Sequence, residues 1–249
     1  MNNKQRIAII GATSSIAEHC ARLWAQEKDI HLILVGRNSS RLERVATDLK
    51  VRIPTAALQI IESDFIKSDA IQETVNNLFR DGAIDIALIA HGSLPEQEDC
   101  QNNLSLCHDT LEVNGISPVL FSEAFAQNMS KLNAGCIAII GSVAGDRGRR
   151  SNYVYGAAKG LVSRYAQGLQ HRFAGSGVRV TLIKPGPTDT PMTANIDSKG
   201  KFASPEEVAK IIVSGIKKNQ SVIYAPGKWW LIMMVVRHLP ALIFNKMNI

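Results

Sequence analysis

Seven short apolar runs, separated by longer segments of helical spacing, constrain the fold of this 249-residue chain more than any other feature. The runs are Ile7–Ile10, His31–Val35, Ala56–Ile61, Ile84–Ala90, Cys136–Ile140, Val178–Ile183 and Val222–Tyr224. A strand covered on both faces reads as a continuous apolar run, not as an alternation. Between the runs, Leu23/Trp24 and Ile71/Val75/Leu78/Phe79 carry the spacing of amphipathic helices. Strands that alternate with helices imply a parallel sheet. The expected class is therefore α/β, a doubly wound, mostly parallel seven-stranded sheet with helices on both faces. No Pro/Ser-rich linker, low-complexity tract or repeat interrupts the pattern, so residues 1–249 read as a single domain.

Composition agrees. Apolar residues make up 45% of the chain, and a chain this long buries about 70–75% of its unfolded surface. It needs no disulfide or metal staple. A net charge of only +6 on 20% charged residues excludes disorder as the main state. The 18 glycines and 4 cysteines exclude collagen-like and disulfide-scaffold readings. Cys20, Cys100, Cys107 and Cys136 show no Cys-x-x-Cys spacing, so no metal site is expected and the thiols read as those of a reducing cytosol. The opening Met-Asn-Asn-Lys-Gln-Arg runs into an apolar stretch too short for a signal-peptide core, which predicts a cytoplasmic protein.

The charge is concentrated at one end. After Glu207 there is no acid, whereas Lys210, Lys217, Lys218, Lys228, Arg237 and Lys246 account for the whole +6. A nucleic-acid face would need clustered charge on the main body, so no nucleic-acid partner is expected.

The first run enters Gly11-Ala12-Thr13-Ser14-Ser15-Ile16-Ala17 and then a helix. Small residues admit a phosphate close to the backbone, and a helix N-terminus offers free N–H groups and a positive dipole end. Of the three glycines of the usual dinucleotide fingerprint, only Gly11 is present, with Ser15 and Ala17 in the other slots. A plain Ser/Thr-capped turn is the competing reading. The second run ends in Val35-Gly36-Arg37-Asn38, without the acid that would hold a ribose 2′-OH. Arg37, with Arg41 as a second candidate, suits a 2′-phosphate, unless both are solvated surface arginines. Asp64 is a candidate for the adenine amino group, with a helix N-cap as its rival role.

Tyr155-Gly156-Ala157-Ala158-Lys159 is the sharpest signal. Residues four apart share a helix face, so the ammonium lies near the phenol. A neighbouring positive charge favours phenolate and is expected to bring Tyr155 toward use as an acid/base. Tyr153 has only Ala157 four residues on. Ser142 ends a strand, where open α/β sheets bind ligands. Asn114 falls inside a helical segment, where Asn is a poor former.

Together these residues resemble the short-chain dehydrogenase/reductase family. The 13-residue step from Ser142 to Tyr155 and the Tyr-x-x-x-Lys pattern are similar to its catalytic core. Lys184-Pro185-Gly186-Pro187-Thr188-Asp189-Thr190 resembles its Pro-Gly turn, and Ala90-His91-Gly92 stands where the family commonly has Asn-Ala-Gly. The resemblance covers roughly residues 6–225 and departs from the pattern at Ser15, Ala17 and His91. It implies a Rossmann-like fold with Tyr155 as acid/base, Lys159 lowering its pKa and binding the nicotinamide ribose, Ser142 orienting a carbonyl and Asn114 holding a relay water. It implies a cofactor site of Gly11, Thr13, Ser14, Ser15, Ile16, Arg37, Asp64, His91, Gly92, Tyr155, Lys159, Pro185, Gly186 and Thr188. The cofactor expected is NADPH, and a homo-oligomer is expected.

Two further features bear on the substrate. Asp146-Arg147-Gly148-Arg149-Arg150 follows Ser142, and its three arginines are expected to capture an anionic group, a solvated loop being the alternative. The tail 228–249 holds Lys228-Trp229-Trp230 and two apolar runs broken by Arg237, His238 and Pro240. It is too interrupted to span a bilayer and reads as a peripheral membrane contact, with a subunit interface or a core-packing segment as the alternative. From Ala225-Pro226-Gly227 onward it loosely resembles reductases of the 2-keto intermediate of polyprenyl-phosphate arabinose synthesis. The resulting expectation is a ketoreductase of a lipid-linked or anionic apolar carbonyl compound. Its rivals are reduction of a fatty-acyl, sphingoid or small soluble carbonyl compound, and a non-catalytic cofactor-sensing module.

Overall fold

A computed structural model describes residues 4–194 and 202–247. Residues 1–3 of the opening stretch, and 248 and 249 of the tail, lie outside them. Among the described residues, strands β1 (Gln5–Ile10), β2 (Ile30–Gly36), β3 (Ala57–Glu62), β4 (Ile86–Ile89), β5 (Gly135–Ile140), β6 (Val178–Pro185) and β7 (Val222–Ala225) form one sheet of order β3-β2-β1-β4-β5-β6-β7. Every pairing is parallel. All seven strands fall on the apolar runs, and the doubly wound class is as expected.

Strand side chains alternate between faces, so each strand supplies two cores. Ile7 and Ile9 of β1 face α1 (Ser15–Ala25), α2 (Ser39–Arg52) and α8 (Pro205–Lys217), in a cluster that includes Trp24, Leu42 and Ile212. Ala8 and Ile10 face α3 (Ser68–Arg80), α6 (Ser117–Leu132) and α7 (Tyr153–Arg172), with Ile71, Phe121, Phe125 and Val162. Ile71, Val75 and Leu78, picked out by their spacing, are buried there. Short helices α4 (Gln97–Asn102) and α5 (Leu104–Leu111) lead into a π-helical turn, Glu112–Ile116, that runs on into α6.

The strand order reverses between β1 and β4. Chain segments leave these two strands in opposite directions across the sheet, which opens a crevice at their carboxyl ends. The tail follows β7 as α9 (Lys228–His238) and α10 (Ala241–Phe244). Among the described residues, no helix is long and apolar enough to cross a membrane.

Candidate active site

A cleft of about 400 Å³ lies over that crevice. Gly11, at the end of β1, has φ +82°, and a Cβ there would come within 2.7 Å of His91. Only glycine meets both demands, so the tight approach of the β1 and β4 ends depends on it. Ser14 precedes α1 without capping it through its side chain. The first-turn N–H groups are therefore not consumed by a side-chain cap.

Of the expected cofactor residues, Gly11, Thr13, Ser14, Ser15, Ile16, Arg37, His91, Gly92, Tyr155, Lys159, Pro185, Gly186 and Thr188 all line the cleft, and Arg41 joins them. Asp64 does not. Its Oδ1 accepts hydrogen bonds from the Ile66 N–H at 2.7 Å and the Lys67 N–H at 3.1 Å. These bonds hold its carboxyl below the usual range. Asp64 thus holds the turn that leads to α3 without being its N-cap, which is Lys67, and its neighbour Phe65 reaches the cleft instead.

His91 stacks edge-on against Phe65 and Phe121, with centroids 4.8 and 5.6 Å away. Its Nε2 lies 2.8 Å from the Ser117 hydroxyl, while Nδ1 is buried without a partner. Burial, then the charges of Lys159 and Arg37, lowers its pKa to about 3, so the ring is neutral.

Ser142, Tyr155, Lys159 and Asn114 all face the same cleft. Ser142 sits beyond β5, and its hydroxyl accepts the Ala144 N–H at 3.1 Å and also hydrogen-bonds Tyr155. Tyr155 and Lys159 lie one turn apart on α7, with the ammonium 5.8 Å from the phenol ring centroid. Lys159 Nζ donates to the Ile140 carbonyl at 3.1 Å, and burial lowers its pKa to about 8. The sequence led us to expect a lowered Tyr155 pKa. The structure corrects this: burial raises it, and the Ser142 hydrogen bond offsets that only in part. A phenol in these surroundings stays protonated at neutral pH.

Asn114 is fully buried in the π-helical turn, where one extra residue re-aims the helix. Its Oδ1 accepts the Ser93 N–H at 2.9 Å, and Nδ2 donates to the Thr110 carbonyl at 2.9 Å.

The arginine loop divides. Arg149 lines the cleft, and burial lowers its pKa. Arg147 instead turns to the tail, where Nη1 donates to the carbonyls of Val236 and Leu239, each at 2.6 Å. Three residues of one loop acting on a single anion is therefore not what the fold presents. Sequence reasoning also missed Asp146. Its carboxylate receives Lys184 Nζ through Oδ1 and the Tyr224 hydroxyl, at 2.8 Å, through Oδ2. Burial and that carboxylate push Tyr224 up to about 12. Leu94, Val113, Asn152 and Met192 also line the cleft. Their residue types gave no signal.

The comparisons with known proteins agree with this geometry. An uncharacterized oxidoreductase from Streptomyces coelicolor is 26% identical over 241 residues, 97% of this chain and 95% of that protein. Two solved structures share the fold. A short-chain dehydrogenase from Sphingobium yanoikuyae in complex with NADPH has a TM-score of 0.82 at 22% identity, covering 98% of this chain and 96% of that one. A bulky-bulky ketone specific alcohol dehydrogenase from Comamonas testosteroni has a TM-score of 0.81 at 22% identity, covering 99% and 96%. The family model for short chain dehydrogenase matches residues 5–201. The seven-stranded parallel sheet and the sequence match over most of the chain lead to one conclusion: this protein belongs to the short-chain dehydrogenase family.

Proposed function

We propose that this chain is a single reductase domain that uses NADPH to reduce a ketone to an alcohol. The observation that carries the proposal is the convergence of Ser142, Tyr155 and Lys159 in one cleft that also reaches Arg37 and Arg41. The cleft fits the cofactor on its own chemistry. The Gly11 turn and the start of α1 suit a pyrophosphate. Arg37 and Arg41 suit a 2′-phosphate, and no acid ends β2. When bound, NADPH supplies the hydride. The ketone oxygen takes its proton from the Tyr155 phenol while the Ser142 hydroxyl holds that oxygen in place. The Lys159 ammonium offsets the charge left on Tyr155, which regains a proton from solvent. Asn114 is the residue we assign to that proton path. A tyrosine kept protonated by burial has the proton that the ketone oxygen needs.

The substrate we propose is lipid-linked or otherwise anionic and apolar, of the polyprenyl-phospho-keto-sugar kind, with Arg149 at its charged group. The tail supports this reading. Trp230, Leu231, Val235, Leu242 and Ile243 are exposed, and the tail carries Lys228, Arg237 and Lys246 and no acid of its own. Such a surface suits peripheral contact with anionic headgroups on the cytoplasmic side. A homo-oligomer is part of the same reading.

The test is NADPH oxidation by the purified protein against lipid-linked keto-sugars, fatty-acyl and sphingoid ketones, and small soluble ketones. Turnover selective for the lipid-linked phosphate is expected. Preference for a soluble ketone would overturn the substrate assignment. NADPH binding without turnover on any ketone would overturn the reductase itself.

A further inference from the structure

We infer that Arg147 is a positioning residue that makes the C-terminal tail a working wall of the active site. This goes beyond the membrane role proposed for the tail, because it concerns the opposite face of the same helix. The last carbonyls of a helix lack intrahelical partners. At the end of α9, the Val236 carbonyl accepts the Leu239 N–H at 3.4 Å, and both it and the Leu239 carbonyl accept from one Arg147 nitrogen, at 2.6 Å each. The guanidinium also lies 3.7 Å from the Phe244 ring centroid, so it holds α10 as well. One side chain thus fixes both tail helices across the break at Leu239-Pro240.

The clasped tail reaches the cleft from behind. Met233 of α9 is buried. At the start of α9, the Trp229 indole occupies the space where a Gly186 side chain would begin, since a Cβ there would come within 1.9 Å of its ring nitrogen. Gly186 itself lines the cleft, in the turn of Pro185, Pro187 and Thr188. Arg147 is anchored in turn. The 3₁₀ turn Val143–Gly145 before it packs on α7, and Asp146 pairs with Lys184, the residue immediately before Pro185. Force on the tail therefore reaches the Gly186 turn through Trp229 and the Ser142 loop through Arg147. No side chain of the tail needs to touch substrate.

Amide hydrogen exchange of the full chain, without cofactor, tests the inference, with NADPH affinity by calorimetry as a second arm. In Arg147→Ala, amides of residues 228–244 and of residues 186–190 should both exchange about tenfold faster, the scale set by losing hydrogen bonds to a charged donor. Amides of β1 and β4 should keep their protection. Arg147→Lys, which keeps a donor but not the fork, should recover part of the protection at both places. NADPH affinity should fall in the same order. If the tail loosens while residues 186–190 stay protected and affinity is unchanged, the clasp holds only the tail and the inference fails. If circular dichroism shows that Arg147→Ala is unfolded, Phe244→Leu is read by the same criteria. The exchange arm does not depend on NADPH being the cofactor, so its outcome is separate from that of the proposed reaction.

Discussion

Lys184 and Asp146 form an ion pair with side chains only 5% and 3% exposed. They tie together two chain segments that border the cleft. One follows Ser142 and the other begins at Pro185. The Tyr224 hydroxyl donates to the same carboxylate, so β7 joins the link. A buried pair is weak evidence of stability, but removing one partner strands the other charge. Asp146→Ala should therefore destabilise the fold by about 3–5 kcal/mol. Adding Lys184→Met should restore part of that loss. Urea unfolding of the single and double variants checks this, and additive losses would show that the pair is not coupled.

Tyr155→Phe keeps the ring and removes the phenol hydroxyl. Steady-state turnover should fall by roughly 10²–10⁴-fold, with NADPH binding largely kept. Near-normal turnover would remove Tyr155 from the reaction.

Activity should depend on pH on the alkaline side through Lys159. Burial lowers its pKa to about 8, so its ammonium is charged below that value and is lost as pH rises through it. The rate per NADPH at low substrate should decline above about pH 8. The stability effect has the opposite sign. The folded state binds this proton more weakly than the unfolded chain does, so stability rises between about pH 8 and the ordinary lysine value of 10.5 and is level above it. A pH–rate profile and thermal unfolding, run on the same samples, separate the two.

Arg37→Ala should weaken NADPH binding far more than NADH binding, because only NADPH carries the 2′-phosphate. Titration of both cofactors reads the difference. Equal losses would place Arg37 away from that group.

On the tail, Trp230 and Val235 are 56% and 58% exposed. Trp230→Glu with Val235→Glu should leave the fold intact, since neither side chain is buried, and should abolish co-sedimentation with anionic liposomes. Each lost basic contact near such a surface is worth about 1 kcal/mol, so Lys228→Ala should weaken binding by less. A doubly substituted protein that still pellets would point to a protein partner for this face.

The strands were legible because burial on both faces leaves continuous apolar runs such as Ile7–Ile10; five strands run a residue or two beyond their apolar run, β3 is shifted by one, and β4 keeps only Ile86–Ile89 of Ile84–Ala90. The cleft was legible where residue type and chain spacing coincide, as for Tyr155 and Lys159. What depends on burial was not. The direction of the Tyr155 shift follows from desolvation, which no spacing encodes. The π-helical turn at Asn114 leaves no periodic signature of its own. Asp146 and Lys184 are 38 residues apart in the chain. The divergence of Arg147 from Arg149 is set by a tail that begins some 80 residues later.

The placing of Trp229 behind Gly186 has an optical consequence. Of the three tryptophans, Trp24 is sealed in the core between α1 and the sheet, and Trp230 faces outward. Trp229 alone borders the turn that lines the cleft. Its emission is a built-in gauge of that turn. With Trp24 and Trp230 replaced by phenylalanine and the indole excited selectively over the four tyrosines, changes in the remaining tryptophan emission would report on the turn at Gly186.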